Sequence, residues 1–110
     1  MTLRQKQSVF VRMIADLIIF AYDNGYELTF GPAYVSTRMG HSKRSLHYDR
    51  LAIDFNLFQN DRWLEDTEDH RPLGEFWESI GGFWGGRLDF DKDGRGDDGN
   101  HYSLEHGGRK

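Results

Sequence analysis

Leu51-Ala52-Ile53-Asp54-Phe55-Asn56-Leu57 alternates along its whole length, with Leu51, Ile53, Phe55 and Leu57 on one side of an extended chain and Ala52, Asp54 and Asn56 on the other. Successive side chains of a strand leave opposite faces of a sheet. The pattern therefore predicts a strand whose odd-numbered residues enter a core and whose even-numbered residues are available for chemistry. Asp54 is the informative member. A carboxylate in the middle of an apolar strand must be exposed, paired or bound to a cation, because an isolated buried charge is very costly.

On the amino-terminal side of this strand, Phe10, Met13, Ile14, Leu17, Ile18 and Phe20 recur at three- and four-residue intervals between Leu3 and about Asn24. That is the period of an amphipathic helix, which Gly25 can end through a left-handed cap. Tyr26 to Phe30 is β-prone and stops at Gly31-Pro32, entering a loop that runs through Ser42 to Ser45. On the carboxyl side, Asn60 to Pro72 is polar and predicts a loop, and Leu73 to Ile80 predicts a short helix broken by Gly81-Gly82. Phe83 to Leu88 predicts a short strand with a glycine bend. The acidic run Asp89 to Asn100 follows, then a last strand over His101 to Leu104 and a polar tail. The expected class is α+β: one small domain over residues 1–110, with a mainly antiparallel sheet packed against a long amino-terminal helix and a short second helix.

Composition narrows the chemistry. With 110 residues the chain fits one hydrophobic core, and the absence of Cys excludes disulfides, Cys-ligated zinc, iron–sulfur clusters and thiol catalysis. Any metal must be held by His, Asp or Glu. A formal charge of -4 argues against general nucleic-acid binding, which needs a basic stripe to displace counterions. The apolar stretch Ala15 to Tyr22 is interrupted by Asp16 and is too short to span a bilayer, and no secretory signal is expected.

Two segments carry the combination a metal hydrolase needs. In Ser45-Leu46-His47 an imidazole stands seven residues before Asp54 and can fold back toward it, offering nitrogen and oxygen ligands that zinc accepts. In Asp98-Gly99-Asn100-His101, Gly99 permits a tight turn that brings a second carboxylate near a second imidazole. Three protein ligands and a water form the usual catalytic zinc site, and a nearby carboxylate outside the ligand set deprotonates that water. A His and an Asp at this spacing also arise by chance, so solvated surface groups remain the alternative on spacing alone.

The motif set Ser45-x-His47, Ala52-x-Asp54 and Asp98-x-x-His101, in this order, resembles that of the zinc peptidases that include D-alanyl-D-alanine carboxypeptidases and L-alanyl-D-glutamate endopeptidases, many of them phage endolysins. The likeness extends from about Glu27 to Lys110 and includes Leu73-Gly74-Glu75-Phe76-Trp77-Glu78, Trp84-Gly85-Gly86-Arg87 and Gly99-Asn100-His101-Tyr102. It implies that His47, Asp54 and His101 ligate Zn2+, that Asp98 is the general base, and that the fold is the small α+β fold shared with the Hedgehog amino-terminal signalling domain. Many members have Gly where this chain has Arg50, although a subgroup reads Arg-Leu-Ala there as this chain does, and members often carry a Tyr-Arg-Ser whose Arg binds the substrate carboxylate or the oxyanion. Here Tyr34-Val35-Ser36-Thr37-Arg38 stands in that loop, so Arg38, with Arg44 second, is the candidate for the role, and a solvated loop arginine is the alternative.

Asp89-Phe90-Asp91-Lys92-Asp93-Gly94 follows the first half of an EF-hand loop, with oxygen ligands at positions 1, 3 and 5 and Gly at 6, although Asn100 stands where the bidentate Glu belongs. Asp89, Asp91, Asp93 and Asp97 are the candidate Ca2+ ligands. A flexible acidic loop is the alternative. His41, His70 and His106 are expected to be polar surface or to line a cleft, Ser45 to support the metal site, and Trp63, Trp77 and Trp84 to lie chiefly in the core, Trp84 being the one expected to border the site. The resemblance implies a monomeric zinc peptidase acting on the peptide stems of peptidoglycan, L-alanyl-D-glutamate endopeptidase first and D-Ala carboxypeptidase second. It would be made in a host cytoplasm and reach the wall through a membrane pore. A zinc-binding interaction module without hydrolytic activity is the reading from a different class.

Overall fold

The computed structural model describes residues 1–31, 49–88, 98–108 and 110. Helix α1 spans Leu3–Asp23 and is started by a capping box: Thr2 Oγ1 accepts from the Gln5 amide while the Gln5 side chain accepts from the Thr2 amide. Asn24 ends it, and Gly25 follows at φ +84°, a left-handed conformation that relieves the last turn. Its inner face is Phe10, Met13, Leu17 and Ala21, all buried.

Strands β1 (Glu27–Phe30), β2 (Ala52–Gln59), β3 (Arg62–Trp63), β4 (Phe83–Trp84) and β5 (His101–Ser103), with helix α2 (Arg71–Ser79), complete the regular structure. The sheet runs β1-β2-β5-β4, β3 also pairs with β2, and every pairing is antiparallel. The α+β class expected from the pattern is what the chain adopts.

Of the odd-numbered residues expected in the core, Leu51, Phe55 and Leu57 are buried and Ile53 is partly buried against them. They meet Tyr102 of β5, Trp84 of β4, the inner face of α1, and Leu73 and Trp77 of α2 in one core. Phe10 meets Trp77 edge-on at 5.8 Å, and the Trp77 indole N–H donates to the carbonyls of Ser103 (2.9 Å) and Phe83 (3.1 Å), tying α2 to the sheet.

Three expectations are corrected. Asn60 to Pro72 is not a plain loop: Asn60 and Asp61, at φ +53° and +64°, turn β2 into β3, a short 3-10 helix occupies Thr67–His70, and α2 begins at Arg71 with Pro72 in its first turn. Asn and Asp tolerate the left-handed conformation that a two-residue hairpin turn needs, and Pro suits a helix start; composition alone hides both signals. Trp63 is not core but 59% exposed, since it stands opposite Phe58 and therefore on the even-numbered face of β2, away from the core. His70 is not surface: it is 2% exposed, with its Nδ1 2.8 Å from the Tyr102 hydroxyl. Burial pushes its pKa down to about 4, and burial also raises the Tyr102 phenol.

Candidate metal centre

Directly opposed residues of an antiparallel pair send their side chains to the same face, with Cβ atoms about 5 Å apart. Asp54 of β2 and His101 of β5 are such partners, so the register alone brings the carboxylate and the imidazole together. They stand on the sheet face opposite the core, yet their side chains are only 14% and 9% exposed. His101 Nδ1 lies 3.4 Å from Asp54 Oδ1 and 3.9 Å from Asp98 Oδ2. Burial pulls the His101 pKa down most strongly, but the Asp54 hydrogen bond, the charges of Asp98 and Asp54 and the Lys110 backbone together carry it above its ordinary value. The imidazole therefore faces a doubly acidic environment that favours a cation at this point.

Asp98 reaches the pair because residues 98–101 form a tight turn, closed by the His101 amide donating to the Asp98 carbonyl at 3.0 Å. The Phe55 amide donates to the Asn100 carbonyl at 3.0 Å, continuing the β2–β5 pairing into the turn. Gly85, after β4, lies so close beneath that a Cβ there would collide with the Asp98 carbonyl and the His101 Cβ.

Two ligand atoms held about 2 Å from one tetrahedral ion stand about 3.3 Å apart. The separation of His101 Nδ1 and Asp54 Oδ1 fits that edge, and one nitrogen with one carboxylate oxygen is a donor pair zinc accepts. Among the described residues no third His, Asp or Glu completes a metal-holding group with them. The expected third ligand, His47, lies outside the described residues, as do Arg38, Arg44, His41, Ser45 and the calcium candidates Asp89, Asp91, Asp93 and Asp97. His106 is away from the centre, its Nδ1 3.5 Å from Lys6 Nζ on α1.

Sequence reasoning missed the groups that hold the turn: the Trp84 indole N–H, which donates to the Gly99 carbonyl at 2.7 Å, and Thr67 Oγ1, which accepts from the Gly99 amide at 3.3 Å. Trp84 was legible as a residue near the acidic loop, whereas Thr67 had no signal because its role needs the 3-10 helix to approach a turn 32 residues away.

Arg50 adopts φ +58°. That is the left-handed region glycine prefers, so the backbone demand at this position is met by a strained residue.

No curated protein matches the chain. A family model described as D-alanyl-D-alanine carboxypeptidase matches residues 39–104, a stretch that runs from before the Ser45-x-His47 motif to just past β5 and contains Asp54, Asp98 and His101. With more than half of its length matched, and the carboxylate and imidazole of two separate motifs brought to one point by strand register, the chain belongs to the D-alanyl-D-alanine carboxypeptidase family of peptidases.

Proposed function

We propose that this chain is a zinc-dependent peptidase that hydrolyses the peptide stems of bacterial peptidoglycan. The observation that carries the reading is the His101–Asp54 pair at 3.4 Å with Asp98 alongside at 3.9 Å, since a module that needed a metal only for stability would have no use for the extra carboxylate. Asp54, His101 and His47 would hold the ion, which when bound supplies a Lewis acid for the scissile carbonyl and lowers the pKa of a water. Asp98 accepts the proton of the attacking water and returns it to the leaving amine. Its half-buried position, with the side chain 35% exposed, leaves it open to substrate while His101 and the turn hold it in place. Arg38 is the proposed partner of the substrate carboxylate or the oxyanion.

The bond we assign first is L-Ala–D-Glu, supported by the likeness of the three motifs to a set that includes such endopeptidases, and the role is that of an endolysin reaching the wall after passage through a membrane pore. The second reading, removal of the terminal D-Ala, is favoured by the description of the matching family. Calcium bound by Asp89, Asp91, Asp93 and Asp97 would order the segment that leads into Asp98. Mass-spectrometric identification of the termini released from purified peptidoglycan by zinc-loaded protein tests activity and bond together. New amino-terminal D-Glu supports the first reading, free D-Ala the second, and no release refutes both.

A further inference from the structure

A short turn carrying both a metal-facing imidazole and the proposed base has a weak point. His101 is placed by strand pairing opposite Asp54, and Asp98 lies before β5, on the turn. Gly99 follows Asp98 directly, and both of its backbone polar groups, the amide of the peptide that joins it to Asp98 and the carbonyl of the peptide that joins it to Asn100, are engaged from outside the turn. The buried Trp84 indole N–H donates to its carbonyl at 2.7 Å, and its amide donates to Thr67 Oγ1 at 3.3 Å. The contact with Thr67 is close enough that a Cβ on Gly99 would press on the Thr67 Cα and Cβ.

The indole is itself held. Arg71 and Arg87 stand over its ring at 5.4 and 5.2 Å, and each guanidinium is gripped by a bidentate carboxylate, Arg71 by Glu68 at 2.7 and 2.8 Å and Arg87 by Glu78 at 2.8 Å for both bonds. Gly74 and Gly86 lie so near the ring that any side chain at either position would displace it. Here it aims one N–H at one carbonyl.

We propose that Trp84 and Thr67 are positioning residues which clamp Gly99 through its carbonyl and its amide, fixing the two peptide planes that flank it, and so set where the Asp98 carboxylate stands relative to His101 and Asp54. The role rests on the peptidase reading for its catalytic consequence, and on hydrogen-bond geometry for its existence. Catalysis is sensitive to such placement, because a misplacement of about 1 Å at a reacting group costs on the order of a hundredfold.

The test uses the full zinc-loaded chain, a soluble stem pentapeptide containing both the L-Ala–D-Glu and the D-Ala–D-Ala bonds, and three variants. Trp84→Phe removes the N–H and keeps an aromatic ring in the slot, Thr67→Val removes the acceptor at constant shape, and Thr67→Ser keeps it. We expect kcat to fall about tenfold in Trp84→Phe and about fivefold in Thr67→Val, with KM and the zinc dissociation constant each within about threefold, and Thr67→Ser to act like the unmutated chain. A merely structural bond would lower Tm and leave kcat within about twofold, and that result overturns the proposal. Should Trp84→Phe fail to fold, the contrast between Thr67→Val and Thr67→Ser decides, with equal kcat values counting against the clamp. Amide hydrogen exchange at Gly99 and His101 reads the clamp without any activity: we expect it to accelerate about tenfold in Trp84→Phe and Thr67→Val relative to the amides of α1, and unchanged exchange would overturn the clamp. An unmutated chain that cuts nothing defeats the peptidase reading instead, so the two failures appear on different signals.

Discussion

Lowering the pH should destabilise this protein through His70. The imidazole is 2% exposed and sits against the Tyr102 hydroxyl at 2.8 Å, and burial holds its pKa at about 4 against an ordinary 6.5. The folded state therefore refuses a proton that the unfolded chain accepts. Stability from this group is complete above about pH 6.5 and is lost as the pH falls from there toward 4. At 1.36 kcal/mol per unit of pKa difference, the loss is about 2 kcal/mol by about pH 5 and about 3 kcal/mol by about pH 4. For a domain whose total stability is on the order of 5–10 kcal/mol, that is a large fraction.

His101 titrates with the opposite sign, because its raised pKa stabilises the metal-free fold in acid and that contribution fades as the pH rises. The measurement is accordingly a difference. Urea denaturation of the unmutated chain and of His70→Phe is followed between about pH 7 and pH 4, both stripped of metal. His70→Phe starts lower because the Tyr102 hydroxyl loses its partner, a penalty of about 1–3 kcal/mol that does not vary with pH. The difference between the two curves should shift by about 3 kcal/mol in favour of His70→Phe at the acid end, closing or reversing the gap. A gap that stays constant would show that His70 takes up its proton in the folded state, and the account of its burial would be wrong.

Three further outcomes are expected. Asp98→Ala should keep bound zinc while losing about a thousandfold in peptide hydrolysis, whereas His101→Ala should lose both; zinc content by elemental analysis beside the cleavage rate separates them, and an Asp98→Ala chain at the unmutated rate removes Asp98 as the base. Because zinc takes neutral imidazole and His101 holds its proton above its ordinary pKa, zinc affinity measured by chelator competition should fall about tenfold per pH unit on the acid side of that raised value, and a flat profile would exclude His101 as a ligand. Arg50→Gly should raise stability by about 1 kcal/mol, since it relieves a non-glycine residue at φ +58°, and an equal or lower denaturation midpoint would show that Arg50 carries no strain.

The fold was largely written in local patterns. Periods of two and of three to four residues announced β2 and both helices, because side-chain direction follows directly from backbone period, and Gly25 and Gly81 marked their ends. What escaped was carried by single residues whose meaning depends on a distant partner. His70 reads as polar surface in the sequence but is buried against Tyr102 of β5, and Trp63 reads as core but stands opposite Phe58 on the far face of β2. The same holds for the centre. Asp54 and the Asp98-Gly99-Asn100-His101 segment were recognisable by chemistry and spacing, but nothing in the text states that residue 54 lies opposite residue 101.

The identity of the donors, the absence of thiols, the helical and extended periods and the family likeness are properties of the sequence alone, because each is settled by residue type or by neighbours within a few positions. The pairing register of β2 with β5, the contact of two guanidinium groups with the Trp84 ring and the grip of Thr67 on Gly99 belong to the tertiary structure. Those contacts join segments tens of residues apart. Only the simultaneous burial of one shared core selects them from the many pairings that the local patterns would equally permit.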